Sequence, residues 1–319
     1  MDVCVMGRIG YDLYAMEHGR ALDQVEHFSR HLGGSSANIA VGLARLGLKV
    51  GIISCVGKDE LSPFLLNFLD REGVDTRHVQ CVEGYNTSLC LTEIWPPDGF
   101  RQVFYRRDPA DTQVKVGEAE LAYATRARMF VTNGTSLAAP PSRESTLSAL
   151  RAAHEKGLRV ALDVDYRASS WPSPEEAGRQ ARAALPWVDV LLGNESEMTL
   201  LTATEDAREQ IRCLLGSHVA LVVRKLGARG VEAFTREQSF SLAASPVTVV
   251  SSIGAGDAFA AGFLYALDRG LPAGDCLLYG NSAASIVVGR VSCSDSMPYG
   301  LELESCVAQS RAKPLWNAL

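Results

Sequence analysis

Apolar positions recur along this chain in two rhythms, and the alternation between them predicts its architecture. Short runs rich in Val, Ile and Leu, at Val3–Met6, Val50–Ser54, Met129–Thr132, Val160–Asp165, Val188–Leu192 and Val219–Arg224, have the length and β-branched content of strands. Between them, Ser35–Leu46, Ser142–Lys156 and Pro174–Leu185 carry apolar residues at helical spacing. Strands alternating with helices build a mostly parallel sheet covered on both faces, so the expected fold class is α/β. Gly254–Leu267 and Pro272–Val288 read as two further helices, split by Arg269-Gly270-Leu271-Pro272.

Two stretches break the rhythm, Tyr11–Leu32 and Tyr85–Tyr105. In the second, Ser88–Trp95 and Arg101–Tyr105 read as strands joined through Pro96-Pro97-Asp98-Gly99. The expectation is one large domain over residues 1–319, with inserted segments at about 11–32 and 85–112 forming a small β lid at the ligand end of the sheet. Such a layer has unpaired edges, and a homodimer is expected from it. The polar tail beyond Pro298 offers no pattern to read.

Composition narrows the function. With 319 residues, 47% of them apolar, the chain has ample material for a large core. A net charge of −6 argues against nucleic acid and anionic membrane surfaces, which attract basic proteins. The longest apolar stretches reach only about half of a membrane span. Eight cysteines without a Cys-x-x-Cys spacing fit a reducing compartment, and Met1 leads directly into a strand-like run, so a cytoplasmic location is expected. Six histidines show no His-Glu-x-x-His pattern, and no transition-metal site is expected.

The strongest local signal is Ser252-Ile253-Gly254-Ala255-Gly256-Asp257-Ala258-Phe259, a glycine turn and an acid opening an apolar helix. Unpartnered amides at a helix start attract anions, although a plain glycine turn with an acidic first helical turn is the alternative. Phe259 stands where a dinucleotide fingerprint needs its third glycine, and no Walker loop surrounds Gly57-Lys58. Gly33-Gly34-Ser35-Ser36-Ala37-Asn38 is either a ligand-approaching loop ending in a donor–acceptor side chain or a tight turn capped by Ser35. Asn194-Glu195-Ser196-Glu197 fits a capping box, with an oxygen donor for Mg²⁺ as the functional alternative. Asp163-Val164-Asp165-Tyr166-Arg167 and Arg224-Lys225-Leu226-Gly227-Ala228-Arg229-Gly230 close strands at the edge where open α/β sheets bind ligands.

Taken together and in this order, the Gly33-Gly34-x-x-x-Asn38 and Gly254-Ala255-Gly256-Asp257 segments resemble the two signatures of the ribokinase and phosphofructokinase-B family of carbohydrate kinases, over nearly the whole chain. The resemblance implies a ribokinase-like fold, ATP as co-substrate and Mg²⁺. It implies that Asp12, Gly33, Gly34 and Asn38 hold the sugar, and that Asp257 is the base, with the Gly254, Ala255 and Gly256 turn at the phosphoryl group. It further implies Asn194 and Glu197 near Mg²⁺ and phosphate, Arg224, Gly227 and Gly230 at the nucleotide loop, and Asn281 near adenine. Phe104-Tyr105-Arg106 with Ala110-Asp111, the Asp163–Arg167 run with Trp171, and Ser292-Cys293 ahead of Met297-Pro298 resemble the members acting on keto-deoxy sugar acids. Arg106 would then pair with the substrate carboxylate and Arg167 would serve the phosphate side. Ser251-Ser252 replaces the Asp-Thr of many members, which puts a bound monovalent cation in question. A kinase of neutral sugars such as fructose or ribose is one rival reading, and a non-catalytic sugar- or nucleotide-binding protein is another.

Overall fold

The computed structural model describes residues 1–95 and 99–311 and the backbone of residues 316 and 317; most of the expected Pro96-Pro97-Asp98-Gly99 turn lies outside the described residues. In chain order the elements are β1 (Val3–Met6), β2 (Gly10–Ala15), β3 (Phe28–Gly33), α1 (Ser35–Arg45), β4 (Val50–Gly57), α2 (Ser62–Arg71), β5 (Asp75–Val82), β6 (Ser88–Trp95) and β7 (Gly99–Tyr105). There follow α3 (Glu118–Ala124), β8 (Met129–Asn133), α4 (Ser142–Glu155), β9 (Arg159–Asp163), α5 (Pro174–Ala184), β10 (Val190–Asn194), α6 (Glu195–Thr202) and α7 (Ala207–Leu215). The last are β11 (Leu221–Lys225), β12 (Val231–Phe234), β13 (Ser239–Leu242), α8 (Ala255–Asp268), α9 (Ala273–Val288), α10 (Gly300–Arg311) and β14 (Trp316–Asn317).

Ten strands form the main sheet in the order β14-β13-β12-β11-β10-β9-β8-β1-β4-β5. From β11 to β5 all neighbours run parallel, while β12, β13 and β14 extend one edge antiparallel. The period of two along a strand explains why the helices are needed on both faces. Val3 and Val5 of β1 point into a core shared with Leu43 of α1 and Phe263 of α8, whereas Cys4 and Met6 point into the opposite core with Phe130 and Leu150. A parallel sheet also places all its strand C-termini on one edge, and that edge carries the chemistry described below.

The two irregular segments form a separate four-stranded sheet, ordered β3-β2-β6-β7. Strand β3 runs straight into Gly34 and α1, so the small sheet is tied directly to the C-terminal edge of the main one. The bounds of three strands need correction. Strand β9 stops at Asp163, two residues early, because Asp165 adopts a positive φ of 36°. Strands β10 and β11 begin two residues later than the apolar runs suggest, since Val188 and Val219 are buried in the connections leading into them. The tail is also structured: α10 buries Leu303 and Val307, and β14 pairs with β13. Among the described residues no helix is long and apolar enough to cross a membrane, and all eight cysteines are free.

Candidate active site

The C-terminal ends of β9, β10 and β11, the starts of α1 and α8 and the inner face of β7 enclose a cavity of about 290 Å³. Phe100, Gln102 and Phe104, every second residue of β7, form the wall supplied by the small sheet. The opposite wall begins at Gly254, whose φ of 79° opens α8. A Cβ there would lie 2.8 Å from the Cys293 sulfur, so this turn accepts only glycine. The amide of Ala255 turns back to the Ser252 carbonyl at 3.3 Å; the next two amides, of Gly256 and Asp257, have no acceptor one turn earlier in the helix.

Asp257 lies in the first turn of α8 and accepts a hydrogen bond from Asn38 Nδ2 at 2.7 Å. Asn38 is fixed in turn by Ser294 Oγ, which donates to its Oδ1 at 2.5 Å. Burial pushes the Asp257 carboxyl up to about 6, and the neighbouring Asp165 charge adds to this against the opposing pull of Asn38 and Arg167. A carboxylate poised in this range can take a proton from a hydroxyl group near neutral pH.

The two glycines before α1 make room for a further buried carboxylate, Asp12. A Cβ on Gly33 would fall 2.2 Å from the Asp12 carboxyl carbon, and one on Gly34 would strike the Arg8 carbonyl oxygen at 2.5 Å. Asp12, on β2, is therefore seated against bare backbone, and burial raises it to about 6 despite Arg8 and His31 nearby.

At the other end of the cavity, Lys225 Nζ donates to both oxygens of Asp163, at 2.9 and 2.8 Å. Burial works against its charge, but the Asp163 and Glu197 carboxylates outweigh it and hold the ammonium protonated. Glu197 completes the expected capping box: its carboxylate accepts the Asn194 amide at 2.7 Å, and Asn194 Oδ1 accepts the Glu197 amide at 2.9 Å. The second Glu197 oxygen accepts the Tyr166 amide at 2.9 Å. Arg167 lines the cavity, pairs with Asp165 at 2.9 Å and is raised above the usual guanidinium range by that carboxylate. Hard oxygen donors beside a protonated lysine and free helix-start amides suit a polyphosphate with its divalent cation.

Of the residues singled out in the sequence, Asp12, Gly34, Asn38, Arg167, Asn194, Glu197, Gly227, Gly254, Gly256 and Asp257 line this one cavity. Gly33 supports it from behind. Ala255, Arg106, Arg224, Gly230 and Asn281 do not line it. Arg224 points away and gives its guanidinium to Glu232, at 2.9 and 2.6 Å, because successive residues of β11 face opposite ways; Lys225 is the one that enters the site. Arg106 also faces elsewhere: Asp111 and Ser170 take its guanidinium, and its side chain is only 6% exposed. Gly230 and Asn281 sit outside the cavity wall, where Gly230 turns β11 into β12 with a φ of 104° and Asn281 donates to the Ala243 carbonyl at 3.0 Å. Arg8, which no sequence pattern marks, lines the cavity instead.

Comparison with known proteins identifies the family. The family model for pfkB family carbohydrate kinases matches residues 1–299. A protein of Lacticaseibacillus casei named 5-dehydro-2-deoxygluconokinase is 35% identical over 98% of this chain and 97% of its own length. One of the same name from Halalkalibacterium halodurans is 36% identical over 96% of this chain and 94% of its own. Among solved structures, a putative ribokinase II from E. coli in complex with ATP and Mg²⁺ superimposes with a TM-score of 0.88 at 22% identity, covering 97% of this chain and 99% of that one, which establishes the shared ribokinase-like fold. With a family match over residues 1–299 and relatives above a third identical, the chain belongs to the pfkB family of carbohydrate kinases.

Proposed function

We propose that this enzyme transfers the γ-phosphoryl group of ATP to a hydroxyl of a keto-deoxy sugar acid, converting 5-dehydro-2-deoxygluconate to its 6-phosphate in inositol catabolism. The observation that carries the transfer chemistry is the Asn38–Asp257 contact at the head of α8. There the carboxylate removes the proton of the acceptor hydroxyl as its oxygen bonds to the γ-phosphorus, and the bond to the departing ADP oxygen breaks. The free amides of Gly256 and Asp257 and the guanidinium of Arg167 offset charge on the moving phosphoryl group. Asp12 and Asn38 orient the sugar through its hydroxyls, and Lys225, Asn194 and Gly227 border the phosphate side.

Mg²⁺ would be held at Glu197, directly or through water, and would neutralise phosphate charge. The fit is in the donor set: Lys225 meets the charge of Asp163 at both oxygens, while each Glu197 oxygen accepts one neutral amide and keeps a further lone pair. The substrate assignment draws on the names of the two relatives above. A homodimer joined through the small sheet belongs to the same reading, motivated by the exposure of Trp95 and Tyr105 on the face of that sheet turned away from the cavity. Sedimentation should then give twice the 34.3 kDa chain mass, and a monomer at micromolar concentration would remove this part.

ADP release with 5-dehydro-2-deoxygluconate, in the parent and in Asp257→Asn, tests the chemistry. Loss of about 10² to 10⁴ in kcat is expected for the variant, with ATP still bound; near-parental turnover contradicts the role of Asp257.

A further inference from the structure

Arg8 follows β1, at the tight passage Gly7-Arg8-Ile9 into β2. Its residue is 6% exposed, its Nε is buried without a partner, and among the described residues no carboxylate forms an ion pair with it. A buried guanidinium in that state is costly unless an anion arrives. Its nearest surroundings come from the small sheet. The Phe104 ring lies 5.8 Å from its Cζ, and Nη1 would be 3.4 Å from a Cβ on Gly10. Phe104 and Asp12 share the cavity wall with it.

We infer that Arg8 forms a carboxylate-binding subsite, which receives the acid end of the substrate and confers preference for sugar acids over neutral sugars. This rests on the sugar-acid reading proposed above. Three features of the site support it. Arg106, the guanidinium otherwise suited to this task, is already neutralised by Asp111 outside the cavity. Arg167 is paired with Asp165 on the phosphate side. Arg8 alone among these three lines the cavity without a carboxylate partner, so the substrate's own carboxylate can supply one. Its planar fork can take both carboxylate oxygens through parallel N–H bonds, which a lysine cannot reproduce, and Phe104 restricts its orientation.

The test is kcat/KM for 5-dehydro-2-deoxygluconate and for fructose, in the parent and in Arg8→Lys, Arg8→Met and Arg106→Met, with ATP binding as the check on folding. The parent should prefer the acid. Arg8→Met should lower the acid-over-neutral ratio by about 30-fold or more, Arg8→Lys by roughly tenfold, and Arg106→Met by less than about threefold. If the parent prefers the acid and both Arg8 variants keep that preference, the subsite assignment fails while the sugar-acid reading stands. If the parent does not use the acid, both fail. Should an Arg8 variant not fold, a crystal structure of the parent with the sugar acid decides the matter: a carboxylate on the Arg8 guanidinium supports the assignment, and one held only by Arg106 or Arg167 overturns it.

Discussion

Asn38 Nδ2 and Asp257 Oδ2 meet at 2.7 Å although 219 positions separate them, joining the first turn of α1 to the first turn of α8. This contact ties Asp257 to the helix that follows the Gly33-Gly34 loop, and it lowers the proton affinity that burial and Asp165 raise. With burial raising Asp257 to about 6, the working carboxylate form is lost below that pH. The acid limb of kcat/KM should therefore fall near pH 6. Asn38→Ala removes a donor to the ionised form and should move that limb upward while raising KM; an unchanged limb would separate Asp257 from the titration.

The same burial has a cost to the fold. An acid whose folded pKa is raised contributes nothing below about 4, where both states are protonated, and then destabilises progressively until about pH 6, above which the penalty is constant. Two pKa units amount to at most about 3 kcal/mol. Asp257→Asn keeps the shape and can still accept from Asn38, so it should raise Tm at pH 7.5 by about 2 to 5 °C while lowering kcat by about 10² to 10⁴. The gain should vanish below pH 4. A lower Tm for this variant at pH 7.5 would show that the ionised carboxylate stabilises its surroundings.

Arg106 should behave as a structural residue. Removing it leaves Asp111, 4% exposed at its side chain, without its cation, and breaking a buried pair from one side costs about 3 to 5 kcal/mol. Arg106→Met should thus lower the unfolding midpoint in urea markedly, and Arg106→Met with Asp111→Leu should recover part of the loss. No destabilisation in the single variant would mean that the pair is solvated in solution.

Ser251-Ser252 offers no carboxylate beside the glycine turn, and the Ser251 hydroxyl oxygen accepts from the Ile253 amide at 3.3 Å. Chelation of divalent cations should abolish activity, whereas replacing K⁺ with a bulky organic cation at constant ionic strength should change kcat less than about threefold, below half of a tenfold step. A loss of tenfold or more would show that backbone carbonyls suffice to bind the ion.

Much of the framework is legible in the residues because it depends on local patterns. Six strands and the helices around them follow from apolar period, and the Gly254 turn and the Gly33-Gly34 loop from the need for bare backbone. What escapes depends on side-chain direction or on partners distant in sequence. Arg224 and Lys225 differ only in which way adjacent strand positions face. Arg106 is cancelled by Asp111 five residues later, a pairing invisible before the chain turns back. Arg8 carries no motif at all, and only its buried, partnerless state within the cavity marks it. Strand β5 escapes because its half-exposed edge carries Asp75, Arg77 and His78 among its apolar residues.

The substrate class is the central point to test. ADP formation should be measured with saturating ATP and Mg²⁺ against 5-dehydro-2-deoxygluconate, 2-keto-3-deoxygluconate, fructose, ribose and a nucleoside, under one set of conditions. The account predicts that 5-dehydro-2-deoxygluconate gives the highest kcat/KM, at least about tenfold above fructose and ribose, a difference of about 1.4 kcal/mol in transition-state binding. A neutral sugar turned over best, or no ADP formed with any of the five, would contradict it.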